Sequence, residues 1–257
     1  MFFYVNGDSH SAGADIIKNY CFAEDDQRYI TYGRRPHPEA VPFTYGYKLA
    51  TQLNAGLELE AESASSNDRI LRTTNDFLKK GWGSDQDVFI IIGWTTWERE
   101  EWPNPHNNIP LQVTAGGQDI VPKELETKYK EWVLQQTEQE LDRKTAMWHE
   151  KIYKLHSVLK ERKIKHIFFN CYTAFSEIAV PVNKRYDWGD NYIDPYDRQS
   201  TYCSYLESIG IKTSRWGSTH YGADGHQKWC NFLLPKVLNQ KTLKQNNLLT
   251  KQKIVVQ

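Results

Sequence analysis

Short, nearly unbroken apolar runs alternate with longer stretches of mixed polarity along the chain. The runs at 2–6 (FFYVN), 87–94 (DVFIIIGW) and 166–172 (HIFFNCY) read as strands buried on both faces. The segment 57–62 (LELEAE) alternates like a half-buried strand, and 210–216 (GIKTSRW) predicts a short last strand. Between them, helices are predicted over 14–22, 45–54, 67–80, 195–208 and 224–239. The Ser-Ser-Asn-Asp at 65–68 supplies an N-cap for the third of these, which ends near Gly81. Residues 123–163 predict one or two long helices with Trp132, Leu141, Trp148 and Leu155 among the apolar positions. The stretch 23–44, with Gly33, Pro36, Pro38 and Pro42, reads as loop. Strands alternating with helices imply βαβ units: an α/β, three-layer α/β/α sandwich around a central, mostly parallel five-stranded sheet. Residues 1–240 form its domain, and 241–257 read as a polar tail open to disorder, whose IVVQ end could pair with a sheet edge.

Composition then narrows the class. A chain of 257 residues can bury roughly 70–75% of its unfolded surface, so it needs no staple. The aromatic share of 13%, with nine Trp, excludes a disordered chain despite a mean hydropathy of −0.69. The 32 basic and 32 acidic side chains cancel, which argues against a nucleic-acid partner. No apolar run reaches the ~18 residues of a membrane span, so no membrane partner is expected. Cys21, Cys171, Cys203 and Cys230 contain no CxxC pair, which excludes a cysteine zinc ribbon and leaves reduced thiols as the expectation. With no signal peptide at the N-terminus, the expected location is cytoplasmic.

In a parallel sheet the site lies outside the carboxyl ends of the strands. That rule selects 7–10, 63–67, 93–99, 173–193 and 217–226. Ser9 in Gly7-Asp8-Ser9-His10 follows the first strand, where a nucleophile would face free N–H groups; the plainer alternative is an Asp/Ser turn that caps a helix. Asp224-Gly225-His226 precedes the last helix, where Asp224 could orient His226 and leave Nε2 free to take a proton; the alternative is an N-cap and a surface histidine. A metal group of His220, Asp224 and His226 is disfavoured, because no further carboxylate or cysteine accompanies it at zinc-enzyme spacing. No metal or organic cofactor is expected.

Taken together, Gly7-Asp8-Ser9 near the start and Asp224-Gly225-His226 near the end resemble the blocks of the SGNH (GDSL-like) hydrolases over roughly residues 1–240. The spacing here is D-x-H, where that family more often has D-x-x-H. The resemblance implies a flavodoxin-like fold and a serine esterase or deacylase that forms an acyl-enzyme. It assigns Ser9, Asp224 and His226 to catalysis and the backbone of Ser9, the backbone of Ala64 or Ser65, and the Thr95 hydroxyl to the oxyanion hole. The middle blocks depart from the pattern: Ala64 or Ser65 stands where a Gly is expected, and Thr95 where an Asn is. These departures motivate an alternative, a catalytically weakened carbohydrate-binding or structural module of the same fold. Trp94 and Trp97 could stack on a sugar ring, Arg99 could bind an acidic or hydroxylated group, and Asn67 could orient the Ser9 loop. The expected partner is thus a small-molecule or carbohydrate ester. The alternative for the tryptophans is cover over the sheet end, and His149 and His156 read as solvated.

Overall fold

The computed structural model describes residues 1–81, 87–117, 121–175 and 179–252, with the backbone alone for 241–252. In chain order its elements are β1 (Phe2–Gly7), α1 (Ser9–Ala12), α2 (Tyr29–Tyr32), α3 (Tyr45–Gln52), β2 (Gly56–Leu59), α4 (Asn67–Lys79), β3 (Val88–Trp94), β4 (Glu100–Trp102) and β5 (Leu111–Val113). They continue with α5 (Glu126–Leu134), α6 (Glu138–Glu161), β6 (Lys165–Asn170), α7 (Tyr202–Ser208) and α8 (Ala223–Gln252).

Four strands form the main sheet in the order β2-β1-β3-β6, every pairing parallel. Alternation along the strands splits the core in two. Tyr4, Ile90, Ile92 and Phe168 face α4 and α6 through Ile70, Phe77, Trp148 and Ile152. Phe3, Val5, Ile91 and Phe169 face α3, α7 and α8 through Tyr45, Leu49, Tyr202 and Trp229. This is an α/β three-layer arrangement, as the alternation predicts. Ser66 caps α4 by accepting from the Arg69 N–H, so the cap signal at 65–68 acts where it was expected.

Two expectations fail for identifiable reasons. The fifth strand over 210–216 does not form: Gly210 and Gly217 both take positive φ, and only a single bridge joins Thr213 to Tyr221. The edge beside β6 is instead met at one point, where the Ile193 N–H donates to the Phe168 carbonyl at 2.9 Å. The helix over 14–22 is also absent. Gly13 closes α1 in the left-handed region, and Asp15 follows at φ 62, a conformation that Asp tolerates but a helix does not. The loop after β3 carries an additional antiparallel hairpin, β4–β5, whose Trp102 and Val113 pack on Tyr129 and Trp132 of α5. The last helix runs to Gln252; the IVVQ end lies outside the described residues.

Candidate functional site

The first loop is built by its glycine. At Gly7 a Cβ would lie 2.9 Å from the Gly93 carbonyl and run into the Ser11 side chain, so β1 ends tight against β3. Asp8 caps α1 by accepting from the His10 N–H at 3.0 Å. Ser9 is therefore presented at the carboxyl end of β1 on the first helical residue, almost buried.

The Ser9 hydroxyl meets His220, not His226. Ser9 Oγ lies 2.9 Å from His220 Nε2, and His220 Nδ1 lies 2.9 Å from Asp15 Oδ2. A carboxylate can only accept, so Nδ1 carries the proton and Nε2 accepts from Ser9. Ser218 Oγ donates to the same Asp15 oxygen at 2.9 Å, and Arg215 lies 3.3 Å from the other. Burial alone would raise the Asp15 carboxyl, but the bonds from His220 and Ser218 and the Arg215 charge hold it below its ordinary range. Burial pushes His220 down, reinforced by the nearby His10 and opposed by Asp15. At neutral pH the chain is thus carboxylate, neutral imidazole and hydroxyl, poised to draw the serine proton.

The expected Asp224–His226 pairing does not form. Both residues lie in the first turn of α8, where positions two apart point about 200° apart around the axis. Asp224 is exposed, whereas His226 is buried, with Nδ1 accepting from the Tyr45 N–H at 3.2 Å. Burial holds His226 at about 3. The residue three before His220 is Gly217, so a D-x-x-H reading would also have found no acid; Asp15 reaches in from the first loop. The sequence signal for His220 is its place in the loop after the last predicted strand, at the carboxyl end of the sheet.

The remaining expected residues are redistributed. Ala64 sits at φ 67, the left-handed conformation that favours Gly, and its N–H has no partner among the described residues; nor has that of Ser9. The Ser65 N–H, by contrast, donates to the Glu62 carbonyl at 3.1 Å and is committed. Thr95 is fully buried, and its hydroxyl donates to Asp8 Oδ2 at 2.7 Å, away from an oxyanion role. Asn67 braces the loop after β3: its Oδ1 accepts from the Thr95 N–H at 3.0 Å. Trp94 is fully buried and Trp97 stacks on Phe175 with ring centroids 4.6 Å apart, so both are core and neither offers a face to a sugar. Arg99 lies over Asp8, 3.7 Å away, and donates to the Ser65 carbonyl at 3.3 Å. His149 and His156 are buried rather than solvated; His149 bonds the Tyr196 hydroxyl and His156 bonds His166. Trp216, beside His220 in sequence, is fully exposed.

Two further features frame the site. Asp8, His10 and Cys171 bring donor atoms within 4.8 Å of one another, all buried, with Asp8 and His10 already paired at 3.2 Å. A cleft of about 480 Å³ opens beside the Ala64 loop, lined by Arg34, Glu62, Ser63, Asn104, Asn107 and Gln112 among others. Among the described residues no helix is long and apolar enough to cross a membrane.

No protein-family model matches this chain. No curated protein matches it either. Among solved structures it is similar to a phospholipase A1 from Streptomyces albidoflavus NA297, with a TM-score of 0.39 and 16% identity over 93% of this chain and 98% of that one.

Proposed function

We propose that the protein is a serine ester hydrolase of the SGNH type in which Ser9 is the nucleophile, His220 the general base and then acid, and Asp15 the group that orients His220. The observation that carries this reading is the continuous Ser9–His220–Asp15 chain, with both links at 2.9 Å. A serine hydroxyl is a poor nucleophile alone; an adjacent neutral imidazole held in one tautomer by a carboxylate is what activates it. The Ser9 and Ala64 amides are available to hold the oxyanion. The acyl-enzyme is then hydrolysed by water through the same His220. Burial of Trp94 and Trp97 removes the stacking argument for a sugar, so the reading stops at an ester of unspecified alcohol.

The test is covalent. A fluorophosphonate probe is expected to add to Ser9, located by mass spectrometry, and the wild type is expected to hydrolyse a short-chain p-nitrophenyl ester while Ser9→Ala does not. A protein that neither takes the probe at Ser9 nor turns over any of a broad ester panel would be a binding or structural module instead.

A further inference from the structure

The oxyanion site has two backbone donors and an empty role for a side chain. Thr95, the residue expected to fill it, has turned its hydroxyl into Asp8. Four residues further along the same loop, Arg99 spans the gap between the two loops that carry those backbone donors. Its Nη1 lies 3.3 Å from the carbonyl of Ser65, the residue after Ala64, and 3.7 Å from the carboxylate of Asp8, the residue before Ser9. Its Nε is buried and has no partner among the described residues. The guanidinium thus has an unused N–H at the place where the first and second loops meet.

Charge points the same way. Asp8 is the carboxylate that both Arg99 and His10 touch, at 3.7 and 3.2 Å. Burial opposes charge on His10, but Cys203 and Asp8 beside it hold its imidazole well above the ordinary range. Arg99 and His10 thus flank one buried carboxylate in the residue next to Ser9.

We propose that Arg99 is the side-chain donor to the oxyanion of the Ser9 site, in place of Thr95; this rests on the hydrolase reading above. Ser9 Oγ bonds to the carbonyl carbon, its proton passes to His220 Nε2, and the carbonyl π pair becomes the oxyanion that Arg99 and the two amides hold. On collapse that pair re-forms the carbonyl, the bond to the alcohol oxygen breaks, and the alcohol takes the proton from His220. Arg99 neither gains nor loses a proton.

Arg99→Gln and Arg99→Lys separate this role from that of a strap between two loops. Arg99→Gln is expected to lower kcat on the order of 10²–10³-fold with KM little changed, and Arg99→Lys to retain part of the rate. Arg99→Ala is expected to regain activity when guanidinium is added at roughly 10–50 mM, far below denaturing levels. A strap would not respond in that way. A folded Arg99→Gln with wild-type kcat overturns the proposal, as does an Arg99→Ala whose loss lies in melting temperature or KM and is not rescued. A wild type that is inert to esters and to the Ser9 probe removes the hydrolase reading itself, whereas an active wild type indifferent to Arg99 removes only this assignment.

Discussion

Ser9 was legible because a buried strand running into Gly-Asp-Ser fixes where the hydroxyl must be. Its partners were not: the Asp224-Gly225-His226 spacing pairs the two side chains only on a turn, and the helix that starts at Ala223, in line with the helix predicted over 224–239, turns them apart. Asp15 was hidden by the apparent continuation of a helix through 14–22. The two histidines now separate by experiment. His220→Ala is expected to lower kcat about 10⁴–10⁶-fold in steady-state ester hydrolysis without loss of stability. His226→Ala is expected to keep kcat but to lose about 1–3 kcal/mol in urea melts, since the buried Tyr45 N–H is left without its acceptor. The pH dependence follows from His220. It must be neutral to act, and burial holds its pKa below the ordinary histidine value. The rate of hydrolysis should therefore stay level through neutrality and fall on the acid side, with a midpoint below the ordinary value of about 6.5. A midpoint above that value would contradict the assignment.

At the scale of elements, the strands β1, β3 and β6 were readable as continuous apolar runs, and α4 from its Ser66 cap. The missing fifth strand was not, because GIKTSRW alternates acceptably but is flanked by glycines that the fold uses at positive φ. The loop between β2 and α4 shows a similar tension. Ala64 occupies a left-handed position at φ 67 that costs an L-residue about 1–2 kcal/mol. Ala64→Gly is expected to leave activity intact and stability equal or slightly higher, because relief of strain outweighs or offsets glycine's larger unfolded entropy. Ala64→Val, branched at Cβ, is expected to lower stability by on the order of 1–3 kcal/mol in the same urea melts. If valine were tolerated as well as glycine, the left-handed conformation at this position would be in doubt.

Across the molecule, two cores sandwich one sheet, and both contain histidines that the fold keeps neutral. His166, bonded to His156 and to the Ile164 carbonyl, is held at about 3 chiefly by burial, as is His226 in the opposite core. In the unfolded chain these groups titrate near 6.5. Between that value and about 3 the unfolded state binds protons that the native state refuses, so stability rises with pH across this window and is lost as pH falls through it. Melting temperature is expected to drop steeply from pH 6.5 to 4.5 and to drop less in His226→Gln, which keeps an acceptor for Tyr45 but cannot charge. Equal slopes for the two proteins would exclude His226 as a contributor.

The hydrogen-bonded chain is also divided unevenly along the polypeptide. Ser9 and Asp15 lie six positions apart, while His220 follows 205 positions after Asp15. A fragment that stops short of residue 220 therefore lacks the imidazole that Ser9 bonds, while Ser9 and Asp15 stay together in one short segment.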